Sequence, residues 1–95
     1  MQDLDFTGKI VLVTGGGAGI GRAIVEAFAT RGARLVVAEI NAERCADLRE
    51  ALDASATDAL VSNTDVCDCA AVDALMAEVQ ARFGGLDVLV NNVGD

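Results

Sequence analysis

Five glycines fall within the seven residues from Gly15 to Gly21, in the run Thr14-Gly15-Gly16-Gly17-Ala18-Gly19-Ile20-Gly21. What flanks this run constrains the fold. Before it, Lys9 to Thr14 (KIVLVT) is continuous, apolar and β-branched, the pattern of a strand buried on both faces. After it, Ile20, Ala23, Ile24, Ala27 and Phe28 recur at i, i+3, i+4, i+7 and i+8, one stripe of a helix. A strand that passes through glycines into a helix ends at a natural anion site. The first helical N–H groups have no intrahelical partner, and the positive end of the helix dipole points at them. Glycines there permit a tight turn, a close approach of backbone to a diphosphate, and close packing of helix on strand.

The same alternation continues down the chain. Gly32 stands where the first helix should close, and Arg34 to Ala38 (RLVVA) reads as a second buried strand. Asn41 is placed to cap a helix with Cys45, Leu48 and Leu52 on its apolar face. Ala59 to Ser62 reads as a shorter strand. Asp68 is placed to cap a third helix, with Val72, Leu75, Met76, Val79 and Phe83 on one face and Gly84 at its end. Leu86 to Val90 (LDVLV) is the fourth strand. The order β-α-β-α-β-α-β predicts right-handed crossovers and a parallel sheet of about four strands with helices on both faces, a three-layer α/β/α fold. No linker, repeat or low-complexity segment divides residues 1–95, which read as one small domain.

The spacing of the glycines narrows the ligand. The generic G-x-G-x-x-G does not occur in any register; T-G-x-x-x-G-x-G does, with Thr14, Gly15, Gly19 and Gly21 at the fixed places. Gly16 and Gly21 have the spacing of a P-loop, but Arg22 and Ala23 follow instead of the lysine and hydroxyl that hold phosphate and magnesium. The end of the second strand carries Glu39, 18 residues after Gly21. An acid about 20 residues past such glycines accepts hydrogen bonds from the ribose hydroxyls of an adenosine. It would repel a 2′-phosphate, and no basic residue lies at Gly16, Gly17, Ala18 or Ile40 to offset that, so NAD is expected in preference to NADP.

Composition excludes other chemistry. With no histidine there is no Ser-His-Asp or Cys-His site and no imidazole metal ligand. A net charge of −8 with seven basic residues argues against nucleic-acid binding. No apolar run reaches membrane-spanning length, and nothing at the start resembles a secretory signal, so a cytoplasmic location is expected. Cys45, Cys67 and Cys69 match neither a zinc site nor a disulfide framework and read as reduced, mostly buried thiols.

Taken in order, four motifs resemble the N-terminal half of a short-chain dehydrogenase/reductase. They are TGGGAGIG at residues 14–21, the acid Glu39, Asp65-Val66 after the third strand, and Asn91-Asn92-Val93-Gly94 after the fourth. The resemblance runs from Phe6-Thr7-Gly8-Lys9 to Gly94 and implies a Rossmann-like sheet in the order 3-2-1-4, truncated relative to the family. It implies that Gly15, with Gly17, Ala18, Gly19 and Ile20, lines the diphosphate, and that Gly21 completes the glycine motif. Glu39 would bind the adenosine ribose with Ile40 against the adenine. Asp65 and Val66 would contact the adenine, Asn92, Val93 and Gly94 would pass along the cofactor by backbone, and Asn91 would brace the sheet. Val93 stands where the family has alanine, adding bulk near the nicotinamide-side ribose.

The resemblance also implies a catalytic tyrosine with a lysine four residues later, and a nearby serine. The chain has no tyrosine, its one lysine is Lys9, and Ser55 and Ser62 precede the fourth strand. Residues 1–95 are therefore expected to be a dinucleotide-binding half-domain without turnover of its own, part of an NAD-dependent oxidoreductase acting on a carbonyl or alcohol. A free-standing adenine-nucleotide-binding module and a structural or interaction module remain open beside that reading. The fourth strand is expected at an edge, uncovered, and so to drive formation of a homo-oligomer.

Overall fold

A computed structural model describes residues 5–92. Seven elements follow in the expected order: β1 (Ile10–Thr14), α1 (Gly19–Thr30), β2 (Arg34–Glu39), α2 (Ala42–Ala54), β3 (Ala59–Asn63), α3 (Cys69–Phe83) and β4 (Val88–Asn91). The strands form one parallel sheet in the order β3-β2-β1-β4. The α/β class, the strand order and the edge position of β4 are as the sequence predicts.

Successive strand residues point to opposite faces, and each face has its own core. Val11, Val13, Leu35, Val37 and Val61 meet Val25 of α1 and Cys45, Leu48 and Leu52 of α2. Ile10, Leu12, Val36 and Ala38 meet Leu75 and Val79 of α3. The side chains of Asn41 and Asp68 cap α2 and α3, the former accepting from Arg44 N and the latter from Ala70 N and Ala71 N. Gly32 and Gly84 follow α1 and α3 with φ of +87° and +81°.

Three expectations are corrected. The stripe on α1 is rotated: Ile24 and Phe28 pack against the core as expected, but Ile20 is 74% exposed and Ala23 and Ala27 are exposed, while Gly21 and Val25 are buried. The physical reason is backbone contact, because α1 docks through Gly21, and two small alanines gain too little from burial to hold the helix in another phase. The fourth strand begins at Val88 rather than Leu86. Asp87 precedes it, donating its N–H to Ile10 O and accepting from Ile10 N through Oδ2 at 2.8 Å. The thiols are not mostly buried: Cys45 is, but Cys67 and Cys69 are exposed, since Cys67 lies in the β3–α3 turn and Cys69 opens α3, on either side of its capping residue Asp68.

Candidate functional site

The register aligns the strand ends in one row, pairing Thr14 with Ala38 and Asn91, and Glu39 with Asn63. The candidate residues that the structure describes stand along this carboxyl edge, which is where ligands bind in open α/β sheets.

The β1–α1 turn is built for contact between main chains. Gly15 and Gly19 have φ of +68° and +59°, a region that only glycine enters without strain. A Cβ on Gly21 would lie 2.0 Å from Gly15 O and 2.6 Å from Asn92 Nδ2, so no side chain fits between the helix and the turn. The N-terminus of α1 differs from those of α2 and α3. Its N-cap is Ala18, and among the described residues no side chain caps it. Ile20 stands exposed beside these N–H groups.

Glu39 closes the second side of the site. It is 3% exposed, with Oε1 accepting from Gly17 N at 2.9 Å and Oε2 accepting from Asn41 N at 3.0 Å. Each carboxylate oxygen has a second lone pair, so two further hydrogen bonds can be accepted. The Gly17 amide therefore braces the acid. Glu39 O is held in turn by Thr64 N, Asn63 Nδ2 and Cys45 Sγ. Beside this carboxylate is a cavity of about 220 Å³ lined by Gly15, Glu39, Ile40, Arg44, Asp65 and Val66 among others. Ile40 is 65% exposed at its mouth. Asp65 is exposed, and its Oδ1 accepts from Cys67 N at 2.9 Å.

On the far side, Thr14 Oγ1 donates to Asn91 Oδ1 at 3.1 Å and accepts from Asn92 N at 2.9 Å. Asn92 Nδ2 reaches Gly15 O at 3.3 Å. Asn91 thus braces the junction of β1 and β4, and Asn92 ties β4 to the glycine turn. Val93 and Gly94 lie outside the described residues.

Sequence reasoning missed Arg44. The absence of bases at four nearby positions was the second ground, beside the carboxylate of Glu39, for expecting NAD in preference to NADP, yet Arg44, from the first turn of α2, lines the cavity that Glu39 lines. Among the described residues it forms no ion pair. A signal was available: Arg44 is the third residue after the Asn41 cap, where a helix leaving a carboxyl edge still faces the site.

These features can be set beside known proteins. The family model described as short chain dehydrogenase matches residues 9–95. D-threitol dehydrogenase of Mycolicibacterium smegmatis is 43% identical over 94 residues, 97% of this chain and 36% of that protein. Sorbitol dehydrogenase of Cereibacter sphaeroides is 44% identical over 86 residues, 90% of this chain and 32% of that protein. Among solved structures, L-sorbose reductase from Gluconobacter frateurii, complexed with NADPH and L-sorbose, superposes with a TM-score of 0.90 at 36% identity, covering 99% of this chain and 36% of that one. A short chain dehydrogenase/reductase from Burkholderia phymatum in complex with NAD gives a TM-score of 0.85 at 33% identity, covering 92% and 31%. The chain thus spans about a third of the length of these four proteins.

Proposed function

The chain belongs to the short-chain dehydrogenase/reductase family of oxidoreductases, and from that premise we propose that its carboxyl edge binds a nicotinamide dinucleotide, NAD in preference to NADP. The observation that carries this reading is the uncapped N-terminus of α1 behind a glycine turn into which no Cβ fits. The other two helices satisfy their first N–H groups with side chains; α1 leaves its own for an anion. The residues fit the group. Gly15, Ala18, Gly19 and Ile20 would line the diphosphate. Glu39 would accept from the adenosine ribose, and Ile40, Asp65 and Val66 would flank the adenine.

The preference for NAD comes from Glu39, whose carboxylate opposes a 2′-phosphate at the same wall. Arg44 offsets part of that repulsion, so the preference is finite. A bound nicotinamide supplies or accepts a hydride. The relatives' names support an alcohol or carbonyl group as the partner in that transfer. The tyrosine that the family resemblance implies as proton donor does not occur in the 95 residues, so residues 1–95 alone are expected to bind without turnover. The free edge of β4, with Leu89 59% exposed, supports self-association, which light scattering tests.

Titration calorimetry with NAD, NADP and AMP tests the reading. NAD and AMP should give saturable heats, with NADP weaker. No heat at millimolar ligand would overturn the proposal and favour a structural or interaction module.

A further inference from the structure

Two exposed cysteines flank a single residue beside the nucleotide cavity. Cys67 lies in the β3–α3 turn, Asp68 is the N-cap of α3, and Cys69 is its first residue. Asp68 is extended, with φ −97° and ψ 106°. Both thiols are exposed, one on each side of that residue. Two virtual bonds of about 3.8 Å bent at Asp68 put the Cα atoms of Cys67 and Cys69 roughly 6 Å apart, inside the span that a disulfide bridges. Cys45 is a contrast within the same chain. It is buried, its thiol donates to Glu39 O at 3.3 Å, and burial pushes it up from its ordinary pKa.

We propose that Cys67 and Cys69 form an oxidisable dithiol that closes into an intramolecular disulfide under a peroxide. One thiol is oxidised to a sulfenic acid as the peroxide O–O bond breaks and water leaves. The second sulfur then attacks the first, forming the S–S bond and releasing a second water. The two sulfurs together lose two electrons and two protons, and the peroxide is reduced to water.

Closure acts on two neighbours. The Cβ atoms must come within about 4.5 Å of each other, which bends Asp68 away from the extended geometry in which Oδ1 holds Ala70 N and Ala71 N. The bend also disturbs the bonds from Cys67 N to Asp65 Oδ1 and from Asp68 N to Asp65 O, and with them one wall of the cavity. Oxidation should therefore loosen the α3 cap and weaken nucleotide binding severalfold. This second effect rests on the proposed nucleotide site; the disulfide does not.

The test treats the purified protein with hydrogen peroxide, traps the remaining thiols with iodoacetamide, and maps tryptic peptides. Cleavage after Arg44, Arg49 and Arg82 leaves Cys67 and Cys69 together on residues 50–82 and Cys45 on residues 45–49. The expected product is an unalkylated 50–82 peptide about 2 Da below its reduced mass, with Cys45 still alkylated after unfolding. Faster amide exchange at Ala70 and Ala71 should accompany it. Cys67→Ser and Cys69→Ser should each abolish the mass loss while leaving the melting temperature unchanged. Separate sulfinic acids at the two positions, or disulfides only between chains, would overturn the proposal. A disulfide with unchanged AMP affinity would uphold the dithiol and remove its link to the nucleotide site.

Discussion

Replacing Gly21 by alanine should destabilise the protein, although the position is helical. In an ordinary helix interior, glycine to alanine stabilises by about 1 kcal/mol. Here the new Cβ would lie 2.0 Å from Gly15 O and 2.9 Å from Gly15 C, both main-chain atoms, and 2.6 Å from Asn92 Nδ2; ordinary contact begins near 3.4 Å. No rotamer relieves a clash between a Cβ and a carbonyl. Either α1 retreats from the sheet, carrying Val25 out of a core where it is 0% exposed, or the Gly15 peptide turns and loses the bond from Asn92 Nδ2. Overpacking of this kind costs about 1–3 kcal/mol, and the lost hydrogen bond adds about 1 kcal/mol. Against the propensity gain, the net loss is about 2 kcal/mol.

For a domain of this size, about 2 kcal/mol corresponds to a fall in Tm of roughly 8–16 °C. Thermal melting followed by circular dichroism reads it directly. Gly19→Ala separates the two uses of glycine in the turn. A Cβ there meets nothing within 4 Å, and the cost is only that of φ +59°, about 1–2 kcal/mol. The Gly21 variant should also bind AMP more weakly, since any retreat of α1 moves its N-terminus. A Gly21→Ala protein that melts at or above the parent temperature with unchanged AMP affinity would refute the claim that the helix docks through its backbone here.

Three further outcomes follow from the same geometry. Glu39→Gln removes the charge, and its NH2 cannot accept from Gly17 N or Asn41 N as a carboxylate oxygen does, so all nucleotides should bind more weakly while the ratio of NAD to NADP affinity falls about tenfold by calorimetry, roughly 1.4 kcal/mol. Arg44→Ala should move that ratio the other way, by weakening NADP more than NAD. Asp58, bonded to Arg34 Nε at 3.0 Å and Arg82 at 2.9 Å, is held below the usual carboxylate range: burial pushes it up, but those hydrogen bonds and charges together outweigh it. A depressed folded pKa gives stability that is present above the unfolded value near 3.9 and is lost as pH falls through the folded one. Asp58→Asn should therefore cost up to about 1 kcal/mol at pH 7, as exposed ion pairs do. In urea melts that difference should close below about pH 4.

What was legible in the sequence was whatever a residue type and a period determine. The buried strands announced themselves as β-branched runs. Asn41, Asp68 and Gly84 marked helix ends because capping is local chemistry, and Glu39 was found because an acid at a strand end follows from spacing. What was not legible depends on how elements meet. The phase of α1 is set by Gly21 against Gly15, a contact between residues whose spacing carries no hydrophobic signal. The place of Arg44 is set by the angle at which α2 leaves β2. The role of Asp87 as a stand-in for a ladder partner at Ile10 joins residues 77 apart in sequence.

Glu39 shows why the glycine turn and the acid belong to one device. A lone carboxylate at a strand end would have to be ordered by its ligand, at a cost in side-chain entropy. Here both oxygens are fixed in advance, one by the turn through Gly17 N and one by the start of α2 through Asn41 N. A Cβ on Gly17 would stand 2.6 Å from Glu39 Oε1 and 2.7 Å from Arg44 Cβ, so the bond, the carboxylate and the arginine stem all require glycine at that position. The turn that leaves α1 open to a phosphate therefore also aims the group that would read the ribose. The glycines account for the spacing between the open helix end and the carboxylate, because the same backbone holds both.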